Sequence, residues 1–119
     1  EKTPDHASEN EELLIKEKEA ERMERYLKDG AYVIALAIDG KTLDSVELSE
    51  RMEKLGTGGT SHIIFVIGGS LGLADRILKR ADYHLSFSKM TFPHQLMRVI
   101  LLEQIYRSYR IMNHEPYHK

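Results

Sequence analysis

At 119 residues, with 41% hydrophobic and 30% charged residues, the chain has room for one core and not for two. It holds no cysteine, which excludes a disulfide framework and a thiolate metal site and suits a reducing, cytoplasmic location. No apolar run approaches the roughly 18 residues a membrane helix needs, and the polar, acidic first twelve residues do not read as a secretory signal.

The net charge of −2 is unevenly spread. Residues 1–50 carry 7 Lys+Arg against 14 Asp+Glu, whereas residues 51–119 carry 10 against 5. A basic C-terminal half suits a phosphate-rich partner such as RNA, although chance unevenness in a short chain would look the same. Glu1-Lys-Thr-Pro4 reads as the middle of a loop, so the chain is expected to be a fragment.

In chain order, residues 1–8 form a polar lead-in. Ser8 and Glu11 have capping-box spacing, and Leu13, Ala20, Met23 and Leu27 lie on one helical stripe, predicting a helix to about Lys28 with Gly30 as its stop. The apolar run Tyr32–Ile38, closed by Asp39-Gly40, predicts a strand buried on both faces. Asp44 with Glu47 begins a second helix through Leu48, Met52 and Leu55, ended by Gly56–Thr60. A second buried strand, His62–Ile67, runs into the glycine turn Gly68–Gly72, followed by a short helix over Ala74–Arg80. Alternation of Tyr83, Leu85 and Phe87 with His84, Ser86 and Ser88 predicts a third strand. Pro93, placed as first residue of the final helix, carries it to about Met112. Repeated strand–helix alternation implies an α/β fold, a parallel sheet with helices on both faces, over a single domain spanning 1–119.

Ligands of such sheets bind beyond the carboxyl ends of the strands. Here those ends are Leu36–Gly40, Gly68–Gly72 and Phe87–Phe92. The glycine turn allows close backbone approach to a ligand, or simply a tight strand-to-helix turn. The loop Phe87–Phe92 has two aromatics and Met90 around one charge, Lys89, and needs burial against a ligand, another chain or the last helix. That helix is apolar on more than one face, which predicts a homodimer through 93–112. Glu103 and Arg107 have the spacing of an ordinary helical ion pair. Pro116–Lys119 combines a stacking ring, an imidazole and a cation, suited to an RNA base, though a terminus usually frays. There is no HExxH and no i,i+4 histidine pair, so no metal site is expected; no GxSxG elbow supports a hydrolase either.

Three segments carry a family resemblance: Phe65-Val-Ile-Gly-Gly-Ser70, Leu85-Ser-Phe-Ser-Lys-Met-Thr-Phe-Pro-His94 and Glu115-Pro-Tyr-His-Lys119. Together, and in this order, they closely resemble the bacterial 23S ribosomal RNA pseudouridine N3-methyltransferases of the SPOUT class, over nearly the whole chain. The resemblance implies S-adenosylmethionine as cofactor, N3 of a 23S rRNA pseudouridine in the assembled ribosome as target, a homodimer, and a trefoil knot at the cofactor site. By motif, the cofactor-binding positions are Leu36, Gly68, Phe87, Ser88, Lys89, Met90, Thr91 and Phe92. The resemblance also places the tail near the target base, completing the partner subunit's site, so Tyr117, His118 and Lys119 are expected to contact RNA, and Arg107 of the final helix is counted with them. Arg107, His118 and Lys119 are the candidates for handling the N3 proton or the developing charge. Members of the family carry a further N-terminal strand–helix–strand, and this chain begins just after it. The alternative is a ribosome- or RNA-binding module without catalysis.

Overall fold

A computed structural model describes residues 8–27, 29–68 and 72–118. Its elements are α1 (Glu9–Glu24), β1 (Tyr32–Thr42), α2 (Ser45–Thr57), β2 (Ile63–Val66), α3 (Asp75–Arg80), β3 (Tyr83–Ser86) and α4 (His94–Met112). The strands form one parallel sheet in the order β2-β1-β3.

The period-2 geometry of the strands divides the core into two clusters. Val33 and Ala35 of β1, with Ile64 and Val66 of β2, face Ala20, Met23 and Leu27 of the α1 region and Leu73, Ala74 and Ile77 of the α3 region. Ile34 and Leu36, with Ile63, Phe65 and Leu85, face Leu48 and Met52 of α2 and Ile105 and Met112 of α4. The sheet is therefore sandwiched, α1 and α3 on one side and α2 and α4 on the other. At the amino ends of the strands, Asp82 accepts from the Val33 amide at 2.8 Å, and Arg51 sits 3.7 Å over the Tyr83 ring while donating to Tyr32 Oη.

Asp44 and Glu47 make both hydrogen bonds of the capping box, each satisfying a backbone N–H with no helical partner. Ser8 accepts from the Glu11 amide at 3.2 Å, and Gly30 adopts the expected positive φ of 87°. Several boundaries differ from expectation. The first helix ends at Glu24, and Leu13, assigned to its buried stripe, is 60% exposed. The stripe turns inward only from Ala20, where β1 and α3 supply a surface to pack on.

Asp39-Gly40 does not close β1. The strand continues to Thr42 through an irregularity in which Leu36 and Lys41 both register with Leu85. The turn-like dipeptide lies within this irregularity, and Gly40 is required there: a Cβ would lie 2.7 Å from the His84 carbonyl carbon. Pro93 is the N-cap of α4 rather than its first helical residue, with extended backbone and its carbonyl accepting from the Met97 amide at 3.0 Å.

Candidate cofactor cavity and C-terminal cluster

The carboxyl ends of all three strands open into one cavity of about 800 Å³. Leu36, Ala37 and Ile38 come from β1, Ile67 and Gly68 follow β2, and Leu85 through Ser88 belong to the end of β3. Of the positions expected to hold a cofactor, Leu36, Gly68, Phe87, Ser88, Met90, Thr91 and Phe92 line this cavity. Lys89 is exposed and is not among the lining residues. Residues 69–71, the middle of the glycine turn, lie outside the described residues.

Sequence reasoning missed Leu73 and Leu78 on the α3 side and His94 and Met97 on α4, all of which contribute to the wall. Their apolar spacing was legible, but which of them turns toward the strand ends depends on helix orientation. His94 is the only titratable side chain among the described lining residues.

The wall is held by short-range polar contacts. The Ser86 hydroxyl donates to the Ser88 carbonyl at 3.0 Å, and the Ser88 hydroxyl accepts from the Met90 amide at 2.9 Å. Serine hydroxyls that bond their own backbone fix a loop that has no ladder to hold it. On the α3 side of the sheet, His84 Nε2–H donates to the Leu78 carbonyl at 2.7 Å, fastening the end of α3 to β3 beside the cavity. Gly68 completes the cradle: a Cβ there would lie 2.5 Å from the Gly72 carbonyl carbon, and Gly72 has φ 83°.

A second cluster forms where the chain returns along α4. Glu103 pairs with Arg107 through Oε2–Nη2 at 3.0 Å and Oε1–Nε at 3.2 Å. Tyr117 Oη donates to Glu103 Oε2 at 3.0 Å, and the Tyr117 ring stands edge-on to Tyr106 with centroids 5.1 Å apart. Arg107 lies 4.8 Å over the Tyr117 ring, and its Nη1 is 3.0 Å from His118 Nδ1. The structure brings Arg107, Tyr117 and His118 together, whereas Lys119 lies outside the described residues. The Arg107 hydrogen bond, aided by that from Tyr117, holds the Glu103 carboxyl below its ordinary value. In return, Glu103 raises Arg107 further and pushes the Tyr117 phenol above its ordinary value, burial adding to the latter.

This cluster and the cavity are separated along the same helix. Met97 lines the cavity and Arg107 is ten residues farther on, about 15 Å at the helical rise. A different face of α4 is left uncovered. Leu96, Val99, Leu102, Tyr106 and Tyr109 are 45–65% exposed, while Leu101 and Ser108 are buried against the body. Among the described residues no helix is long and apolar enough to cross a membrane, and no His/Asp/Glu group could hold a metal ion.

A parallel α/β sheet whose strand ends converge on one apolar cavity is the frame of a small-molecule-dependent enzyme. The family of predicted SPOUT methyltransferases matches residues 1–118. The chain belongs to this family and is a methyltransferase. Proteins called ribosomal RNA large subunit methyltransferase H are similar along its full length. That of Bifidobacterium adolescentis is 66% identical over 119 residues, covering 100% of this chain and 75% of its own. Those of Bifidobacterium animalis subsp. lactis and Clostridium tetani are 63% and 60% identical with the same coverage.

Proposed function

We propose that this protein transfers the methyl group of S-adenosylmethionine to N3 of a pseudouridine in 23S ribosomal RNA, acting on the assembled ribosome as a homodimer. The observation that carries the reading is the convergence of three strand ends on one cavity, lined by the loop that bears the family motif. The relatives named for large-subunit ribosomal RNA support the choice of substrate.

The lining fits the cofactor. Leu36, Phe87, Met90 and Phe92 offer apolar surface for an adenine ring, backbone groups of the loops remain for its polar edge, and Gly68, packed against the Gly72 backbone, keeps the loop closed at this end of the cavity. When bound, the cofactor supplies an electrophilic methyl group. The residues around it have to position the acceptor, because an in-line displacement is governed by alignment. Loss of the N3 proton leaves negative charge on the acceptor, and Arg107, His118 and Lys119 are assigned to meet it.

A homodimer through α4 explains two features together. It covers the exposed row from Leu96 to Tyr109, and it lets the tail of one subunit reach the partner's cavity instead of its own. A trefoil knot formed by the segments around Gly68 and Phe87–Phe92 belongs to the same reading. Calorimetry tests it: the protein binds S-adenosylmethionine and Gly68→Trp abolishes binding. Unchanged binding by the variant would place the cofactor elsewhere, and no binding by either protein would favour a non-catalytic RNA-binding module.

A further inference from the structure

We propose that Glu103 is a positioning residue for the tail: it holds Arg107 so that the guanidinium fixes the tautomer of His118, making that ring a hydrogen-bond donor to the target base rather than its proton acceptor. This rests on the methyl-transfer reading above and assigns a role within it.

A guanidinium carries five N–H groups and no lone pair available to accept, so at a contact with imidazole it donates. Arg107 Nη1 lies 3.0 Å from His118 Nδ1, which makes Nδ1 the acceptor and leaves the ring proton on Nε2. The ring nitrogen with a lone pair is thereby occupied, and the free one presents N–H.

Glu103 sets this orientation. Its two carboxylate oxygens take Nε and Nη2 of Arg107, the fork arrangement that fixes a guanidinium plane, and this leaves Nη1 for the histidine. The same carboxylate accepts the Tyr117 hydroxyl, which anchors the residue next to His118. Tyr117 thus spends its proton on Glu103 and is no base either; its phenol is pushed above its ordinary value. The other charged and titratable groups facing the cluster are Arg110, itself paired with Glu115 at 2.9 Å, and Tyr106.

The N3 imide of a pseudouridine lies between two carbonyl groups. On methylation its proton leaves to solvent water, the N3 lone pair forms the bond to the methyl carbon, and the pair of the broken carbon–sulfur bond returns to sulfur. Before the transfer, charge from N3 spreads onto the flanking carbonyl oxygens. An N–H aimed at one of them stabilises that charge without accepting a proton.

Two measurements test the proposal. The first is the ¹⁵N NMR tautomer pattern of His118, read near neutral pH in the protein without cofactor or RNA, so it is independent of whether methyl transfer is the right activity. Wild type is expected to show bare Nδ1 and protonated Nε2, and Glu103→Gln to relax toward a mixture of tautomers. A wild-type ring with Nδ1–H, or a pattern unchanged in Glu103→Gln, would overturn the role of Glu103. The second compares single-turnover rates of His118→Gln and His118→Ala. A glutamine amide can donate but cannot act as a base, so His118→Gln is expected to stay within roughly tenfold of wild type while His118→Ala falls by roughly a hundredfold. If both fall equally, the donor role is wrong.

Discussion

Gly68 and Gly72 stand so close that a β-carbon on the first would lie 2.5 Å from the carbonyl carbon of the second. Backbone, not a flexible side-chain end, occupies that space, so the loop must open to admit even a methyl group. Gly68→Ala is expected to destabilise the protein by about 1–3 kcal/mol and to weaken S-adenosylmethionine binding by at least roughly tenfold. Thermal unfolding and titration calorimetry of the same variant check the two effects.

The tail contact has a defined pH window. Glu103 is held below the ordinary 4.5, so its contribution is present above that value and is lost as pH falls through the lower folded value. Tyr117 is pushed above the ordinary 10.0, so its contribution is present below that value and lost as pH rises through the higher one. The Tyr106–Tyr117 ring contact, followed by NMR, is expected to be constant between about pH 5 and pH 9 and to disappear in stronger acid or base. Release on acidification at a midpoint above 4.5, or in base at a midpoint below 10.0, would show that another group governs the tail.

Ser108 is fully buried on α4, and its hydroxyl has no hydrogen-bond partner among the described residues. A buried hydroxyl without a partner contributes its desolvation cost and nothing in return. Ser108→Ala is therefore expected to leave stability unchanged or raise it by about 1 kcal/mol in urea unfolding. A loss of more than about 1 kcal/mol would mean that the hydroxyl is satisfied in solution.

The exposed row on α4 gives a test of assembly. Leu102, 65% exposed, lies among Val99, Tyr106 and Tyr109. Leu102→Asp would place a charge where the proposed dimer buries apolar surface. Sedimentation is expected to show a dimer for wild type and a monomer for the variant, with the variant's fold retained because Leu102 packs little within its own chain. A variant that stays dimeric would move the interface off this face.

Much of this arrangement was legible because strand and helix periods differ. The runs at Tyr32 and His62 and the alternation from Tyr83 located three strands, and parallel topology then required Leu36, Gly68 and Phe87 to share one edge. Asp39-Gly40 does not end the strand because a dipeptide that closes a turn also suits a break in strand register, and only the neighbour, His84, decides between them. Leu13 misled because helical spacing records an apolar stripe and not what is available to cover it. Glu103 looked like half of an ordinary i,i+4 pair. Another partner, Tyr117, lies 14 residues away and reaches it only because the chain turns back along α4.

The central claim is tested most directly by transfer of tritium from labelled S-adenosylmethionine to intact ribosomes and to free 23S RNA. Label is expected at N3 of a single pseudouridine of 23S RNA in the intact ribosome, with much less on the free RNA. No transfer to either substrate, from protein shown to be folded and to bind the cofactor, would contradict the account.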